Sequence, residues 1–430
     1  MSTPSKRVAF YTLGCKLNFS ETSTISRDFI INGFEKVKFR DVADIYVINT
    51  CSVTENADKE ARKLIRQAKR KNEHSSIVLV GCYAQLKPKQ IQKIEGVDLV
   101  LGTAEKFQIL QHLDKINLSK RGSIVHSNIK KNKIFNPSYS SDERTRAYLK
   151  VQDGCDYTCS FCTIPLARGK SRSNTIEKTI QIAKKIVSTG KKEIVLTGVN
   201  IGDFGKGSGD NFYDLIKNLN QIKNINRIRI SSIEPNLITD DIISFCLNSK
   251  SFVPHFHIPL QSGSDKILRA MRRRYDTKLY KNRIKKIRSI NPDTCIGVDV
   301  IVGFPGETDL EFKKTVDFLE DLEVSYLHVF SYSERLETEA IKFNDKVSPE
   351  IKKQRSKILH ELSEKKRNFF YNDFIGSERE VLFEYKKNGH LVGHTDNYIK
   401  VSIKTNKDLV NKIVPVKLIE NNGGFLNAVL

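Results

Sequence analysis

Residues 154–165 read GCDYTCSFCTIP, with Cys155, Cys159 and Cys162 spaced C-x3-C-x2-C directly after the strand-like run AYLKVQD (147–153). Thiolates are the usual ligands of iron–sulfur clusters, which normally take four of them. A three-cysteine loop leaves one iron of a [4Fe–4S] cube open to the amino and carboxylate groups of a bound small molecule. Gly154 relieves backbone crowding where the loop turns. A structural zinc site is the alternative, but it wants a fourth Cys or His nearby. The nearest histidines in sequence, His126 and His255, lie well outside the loop.

Reading outward toward the C-terminus, the loop opens a series of six strand candidates: AYLKVQDGC, EIVLTG, RIRISS, HFHIPL, CIGVDVIVGF and YLHVFSY. Helical stretches such as NTIEKTIQIAKKIVSTG and LEFKKTVDFLEDL lie between them. Six βα units are too few for a closed eightfold barrel and predict a partial (β/α)6 barrel, with its active site at the strand C-terminal ends. A charged helix from about Pro349 to Phe374 leads out of it. From Gly376 the texture changes to period-two alternation with Asn-Gly and Asp-Asn turns, which predicts a small antiparallel β-barrel. Such a barrel either binds RNA or is a plain β appendage at the barrel mouth.

Toward the N-terminus the pattern is again alternating α/β. VAFYTLGC, DIYVINTC, SIVLVGC and VDLVLGT read as strands. A helix from about Ser20 to Asn32 stops at Gly33; the basic helix ENADKEARKLIRQAKRKNEH and a helix after Pro88 follow. This predicts a doubly wound parallel sheet. Residues from about 124 to 145 are polar and patternless and read as a linker. The expected division is 1–125, a linker at 126–145, 146–375 and 376–430.

Three of the remaining cysteines, Cys15, Cys51 and Cys82, each close a predicted strand, at spacings of 36 and 31 residues. In a parallel sheet the strand C-termini share one edge, where ligands bind at the switch point. Three thiols delivered to that edge imply a second cluster with an open iron. One cysteine at a strand end is ordinary core, but three in step are not explained that way. Cys246, in an apolar helix, and Cys295, at a strand start, read as core thiols.

The 430 residues exceed one ordinary domain. With eight cysteines in a chain of this size, a disulfide framework is not expected. No apolar run approaches bilayer length and the N-terminus does not read as a signal peptide, so a cytoplasmic protein without a membrane partner is expected. The formal charge of +22 favours a polyanion, with nucleic acid first; a lysine-rich proteome is the plainer source of the same excess. Arg168, Lys170 and Arg172 after the cysteine loop, and Arg272, Arg273 and Arg274, are the runs placed to hold RNA phosphates; the alternative is solvated surface charge.

At the C-x3-C-x2-C loop the sequence resembles the radical S-adenosylmethionine (SAM) enzymes. The resemblance implies a cluster that reduces SAM to a 5′-deoxyadenosyl radical, with Phe161 near the adenine. It places SAM contacts at Thr197 and Gly198 of LTGVN, Ser231 and Glu234 of SSIEP, Gln261 of PLQSG, and Val302 and Gly303 of VDVIVGFPGE. Each of these is also readable as a turn closing a βα unit. With the second triplet and the C-terminal barrel, the whole chain resembles the radical SAM methylthiotransferases, which carry an N-terminal cluster domain, a radical SAM barrel and a TRAM domain. That implies two [4Fe–4S] clusters, and SAM as both methyl donor and radical source.

TLGCKLNFSET (12–22) and NTCSVTENADKEARKLIRQ (49–67) resemble the MtaB-type branch, which acts on N6-threonylcarbamoyladenosine beside the tRNA anticodon. The branch acting on isopentenyl-type adenosine more typically reads TYGCQMN and has Arg where Thr54 stands. The branch acting on a ribosomal protein lacks the Lys16-Leu17-Asn18 form. Where tRNA enzymes carry a Pro-containing turn after the sixth strand, this chain reads SYSERLETEA (331–340). The implied partners are the tRNA anticodon stem-loop and an electron-donor protein, with the sulfur donor open. The remaining alternatives are an isopentenyladenosine or ribosomal-protein substrate, or a metal-stabilised RNA-binding protein without turnover.

Overall fold

The computed structural model describes residues 5–51, 55–115, 122–140 and 145–430, so Thr54 lies outside the described residues. The chain forms two compact units. One comprises Met1–Asp142, Tyr148–Thr158 and Cys162–Ser173; the other comprises Glu143–Ala147, Cys159–Phe161 and Asn174–Leu430.

The first unit is built on a six-stranded parallel sheet. Its strands are β1 (Arg7–Thr12), β2 (Glu35–Val37), β3 (Ile45–Thr50), β4 (Ser76–Gly81), β5 (Leu99–Leu101) and β6 (Ser123–Val125), in the order β2-β1-β3-β4-β5-β6. Alternate residues of β4 divide between two cores. Ile77 and Leu79 pack with Ile48 and Val100 on one face, and Val78 and Val80 pack with Val47 and Leu99 on the other. A parallel sheet covered on both faces needs apolar residues at every position, which is why these strands read as unbroken apolar runs. β2 and β6 were not predicted. Each is three residues long and stands at a sheet edge, too short for a period to show. β6 falls partly within the predicted linker, and Ile129–Lys131 beyond it forms a 3₁₀ turn. The first helix spans Lys16–Ile31 and so begins four residues before the predicted start.

In the middle of the chain come β7 (Arg146–Lys150), the short ribbon β8 (Gln152–Asp153) with β9 (Arg172–Ser173), then β10 (Glu193–Thr197), β11 (Arg227–Ile230), β12 (His255–His257), β13 (Cys295–Val302) and β14 (Tyr326–Ser331). The order β11-β10-β7 and β12-β13-β14 makes an open six-stranded barrel, the two sheets meeting through the parallel bridge Ile228↔Phe252. All six predicted barrel strands are present. Thr175, Asn211, Thr239, Ser264, Asp276 and Thr308 each cap a following helix through a side-chain oxygen.

The chain ends in a closed barrel of β15 (Glu378–Lys387), β16 (His390–Thr395), β17 (Lys400–Lys404), β18 (Ile413–Asn421) and β19 (Leu426–Val429). Asn388 and Gly389, both at positive φ (50° and 79°), make the tight turn between β15 and β16. The expectation of antiparallel pairing is corrected at one seam, since β17 and β19 pair in parallel to close the barrel. Among the described residues no helix is long and apolar enough to cross a membrane.

Candidate active site

β8 and β9 form an antiparallel ribbon that brackets the 154–165 loop. Gly154 sits at φ +71°, and a Cβ there would stand 2.0 Å from the Lys170 carbonyl oxygen, so only glycine fits. Cys155 donates its N–H to Gly169 O at 3.0 Å, and Tyr157 N–H points at Cys155 Sγ at 3.4 Å. The loop leaves through the short helix Ile164–Arg168. All three cysteines are free thiols and half-buried.

The central residues of the loop, Cys159–Phe161, belong to the second unit. Ser160 donates its N–H to Met271 O (3.1 Å) and its hydroxyl to Ala270 O (2.8 Å), and accepts from Ala340 N–H at 2.8 Å. Ala340 ends the SYSERLETEA segment, so the stretch that departs from the family pattern docks on the cysteine loop. Phe161 packs edge-on against Phe304, with ring centroids 6.3 Å apart, beside Ile267 and Met271. Arg273 donates to Cys159 Sγ at 3.2 Å, to the Tyr275 hydroxyl at 3.1 Å and to the Glu234 carboxylate. Burial pushes the Cys159 thiol up, and Arg273 opposes it.

The other predicted barrel positions lie at strand C-terminal ends. Thr197 ends β10 and is buried, and Gly198 follows it. Ser231 follows β11 and donates its N–H to Leu196 O. Gln261 holds φ +69°, strained for a residue with a side chain, because its backbone bridges Asp299 O and Ile301 N–H on β13. Val302 ends β13. Gly303, at φ +74°, donates its N–H to Glu307 (2.8 Å), and the stem of Lys352 lies over it.

Two arginines assigned to RNA by sequence are drawn inward. Arg168 has a side chain only 1% exposed and pairs with Glu21 and Asp153, so it is withdrawn from any surface RNA can reach. Arg273 is 4% exposed and engaged with Cys159 and Glu234. Arg172 bonds Asp153 and the carbonyl oxygens of Ile134 and Arg168. Lys170, Arg272 and Arg274 are exposed.

In the first unit, β1, β3 and β4 are neighbours, so Cys15, Cys51 and Cys82 follow three adjacent strand ends. The strands end at Thr12, Thr50 and Gly81, short of the cysteines. Cys15 instead caps the helix Lys16–Ile31, and Cys82 opens the helix Cys82–Leu86. Gly14, at φ +93°, lies against Cys51: a Cβ there would stand 2.7 Å from Cys51 Cβ and 2.9 Å from its Sγ. Burial pushes the Cys82 thiol up, Arg168 and Lys106 pull it down, and Cys15 is close enough to add to the rise. Among the described residues no group of three His, Cys, Asp or Glu stands at metal-ligating distance. Cys246 and Cys295 are buried core thiols, as expected; burial pushes Cys295 up to about 12.

Sequence reasoning passed over one polar layer inside the barrel. His257 Nε2 lies 2.8 Å from Asp299 Oδ1, and His328 Nδ1 lies 3.9 Å from the same oxygen. The available signal was Asp299 and His328 inside the otherwise apolar runs of β13 and β14, with His257 ending β12.

With this geometry in place, comparison with known proteins is decisive. Three family models match: uncharacterized protein family UPF0004 over residues 7–102, the radical SAM superfamily over 149–319, and the TRAM domain over 373–430. The threonylcarbamoyladenosine tRNA methylthiotransferase MtaB of Bacillus subtilis is 40% identical over 98% of this chain and 97% of its own length. The chain belongs to the radical SAM methylthiotransferases. The tRNA-2-methylthio-N(6)-dimethylallyladenosine synthase of Rickettsia canadensis is 32% identical over 98% of both chains. Among solved structures, the radical SAM methyltransferase TsrM of Kitasatospora setae shares the fold, with a TM-score of 0.57 at 12% identity over 76% of this chain and 73% of its own.

The residues present fit the iron–sulfur groups of this family of methylthiotransferases. Both cysteine sets are free thiols, the donor type iron prefers. Each set includes a cysteine beside a glycine, Gly14 or Gly154, where a Cβ would strike the neighbouring chain.

Proposed function

We propose that this enzyme transfers a methylthio group to C2 of N6-threonylcarbamoyladenosine beside the anticodon of tRNA. The observation that carries the reading is the presence in one chain of two thiol triplets, one on a C-x3-C-x2-C loop and one following three adjacent parallel strands. Cys155, Cys159 and Cys162 would hold one [4Fe–4S] cluster, and Cys15, Cys51 and Cys82 the other. When bound, the clusters and SAM supply electron transfer, a methyl group and hydrogen abstraction. Thr197, Gly198, Ser231, Glu234, Gln261, Val302 and Gly303 stand where SAM would be bound, with Phe161 toward its adenine. Arg273 steadies Glu234 and lies on Cys159. The choice of base is supported by the relatives: four named for threonylcarbamoyladenosine are 35–40% identical, and four named for dimethylallyladenosine are 31–33% identical.

In this reading residues 1–125 carry the first cluster, 146–375 the radical chemistry and 376–430 RNA contacts, with 126–145 between. The exposed Lys170, Arg272 and Arg274 face phosphate, a soluble protein supplies electrons, and the enzyme works in the cytoplasm. The test is nucleoside mass spectrometry of tRNA from a strain lacking the gene. Loss of the 2-methylthio derivative with accumulation of threonylcarbamoyladenosine is expected. An unchanged level rejects the reading, and loss of the dimethylallyl derivative instead reassigns the base.

A further inference from the structure

Five charged side chains of the first unit are buried together. Glu21, Lys106, Lys150, Asp153 and Arg168 are each no more than 3% exposed. Glu21 Oε2 accepts from Lys106 (2.5 Å) and Arg168 (3.1 Å), and Oε1 accepts from Lys150 (2.9 Å) and Arg168 (3.1 Å). Asp153 accepts from Lys150 (2.8 Å), Arg168 (2.9 Å) and Arg172 (3.1 Å). Burial alone would push the Glu21 carboxyl up, but Arg168, Lys106 and Lys150 together hold it well below the usual range. Ions taken out of water this completely are a cost unless geometry repays it, and replacing such groups with apolar ones is often neutral or stabilising. A fold seeking only stability has cheaper ways to fill this space.

What the network joins gives it a purpose. Asp153 stands two residues before Cys155, and Arg168 six residues after Cys162, so the ions grip both flanks of the cysteine loop. Glu21 and Asn18 lie on the helix that begins just after Cys15. Arg168 reaches Asn18 Oδ1 at 2.5 Å. The other end of Asn18 donates to Leu13 O (2.9 Å) and Thr50 O (3.2 Å), the backbone just ahead of Cys15 and Cys51. The helix Cys82–Leu86 packs against the helix Ile164–Arg168. One continuous set of bonds therefore runs from the flanks of Cys155 and Cys162 to the backbone beside Cys15 and Cys51.

We propose that Asn18, Glu21 and Arg168 are positioning residues that fix the Cys155–Cys162 loop relative to the Cys15–Cys51–Cys82 set. This rests on the reading above, in which both cysteine sets hold clusters and serve two events on one base, abstraction of its hydrogen and attachment of the methylthio group. A fixed separation makes the two events productive on one base. An ångström of misplacement costs on the order of 100-fold in such steps.

The test uses the full chain, anaerobically reconstituted, as Glu21→Gln, Asn18→Ala and Arg168→Lys. The probe is threonylcarbamoyladenosine-containing anticodon stem-loop RNA. Wild-type protein holding about eight irons and making methylthio product upholds the underlying reading; about four irons or none overturns that reading and this proposal with it. In Glu21→Gln and Asn18→Ala, iron should stay near the wild-type level. The ratio of 5′-deoxyadenosine to methylthio product should rise at least about tenfold. The magnetic coupling between the two reduced clusters, read by electron paramagnetic resonance, should change. Arg168→Lys keeps the charge and should raise the ratio less than Glu21→Gln does. Full iron with an unchanged ratio and unchanged magnetic coupling overturns the proposal. If Glu21→Gln is not recovered folded, Asn18→Ala, which removes only neutral groups, gives the deciding result.

Discussion

Replacing Glu193 by Gln should loosen the C-terminal barrel from the strands it rests on, and the size of the effect follows from the bonds Glu193 makes. Glu193 opens β10 with a side chain 1% exposed and takes Arg229 Nε at 2.7 Å and Nη2 at 3.2 Å. Arg229 in turn donates to Asp396 O at 3.1 Å and lies over the Tyr398 ring, 4.8 Å from its centroid. Neighbouring Arg227 donates to Glu380 O, and Arg146 bridges Glu193 and Glu384. The seam between the two barrels is thus held by three arginines around one carboxylate. Burial would push that carboxyl up, but Arg229 above all brings it from 4.5 down to about 2. That fall corresponds to about 3 kcal/mol at neutral pH, and breaking a buried pair by removing one partner costs about 3–5 kcal/mol. The two routes agree on about 3 kcal/mol for the amide variant. Because the folded group titrates below the unfolded one, its contribution is complete above the unfolded value and drains away as pH falls through the folded value. Glutamine does not titrate here, so the gap between wild type and variant should be full at pH 7 and narrow steadily from about pH 5 toward pH 2. A chain of several parts need not unfold in one step, so the measurement is hydrogen exchange of β15 and β18 amides across that range. Equal protection in the two proteins at pH 7, or a gap that ignores pH, would refute the reasoning.

Two other perturbations separate the thiol sets. Gly14→Ala forces a side chain into a left-handed backbone, at about 1–2 kcal/mol, and into Cys51; Gly154→Ala drives one into the Lys170 carbonyl. Each should cost one cluster, about four of eight irons, and only Gly154→Ala should abolish SAM cleavage. Loss of both clusters in either variant would show that the sets do not load separately. Cys246→Ala should leave iron and turnover untouched and cost about 1–2 kcal/mol of stability, because burial among apolar neighbours leaves that thiol protonated and out of reach. A drop in iron content would place it among the ligands.

The sequence was most legible where burial is two-sided. β3, β4, β5 and β10 are buried at nearly every position, and their apolar runs carry that directly. The start of the helix Lys16–Ile31 was missed for the opposite reason. Asn18, Ser20, Glu21, Thr22, Ser23 and Ser26 are buried, so this helix turns polar residues inward and shows no apolar period. Nothing local marks Glu21 as a buried anion; its partner Arg168 stands 147 residues away. The turn at Asn388-Gly389 was plain because its chemistry is local. The parallel closure of β17 with β19 was hidden because pairing across a barrel is not.

Charge shows the same division between what sums and what depends on place. The arginines most eye-catching beside the cysteine loop and in the 272–274 run were read as phosphate contacts, and Arg168 and Arg273 prove to be interior cations. The inference of a polyanionic partner does not depend on them. Net charge is a property of the whole molecule, and potential at a distance is set by the sum; Arg168, Arg273, Lys106 and Lys150 are opposed inside the fold by Glu21, Asp153 and Glu234, so the buried groups carry only one unit of the +22 and leave an excess of +21 on other residues. A basic composition therefore predicts a partner class well and its contact residues poorly. Burial separates the arginine open to a phosphate from the one paired inside the fold.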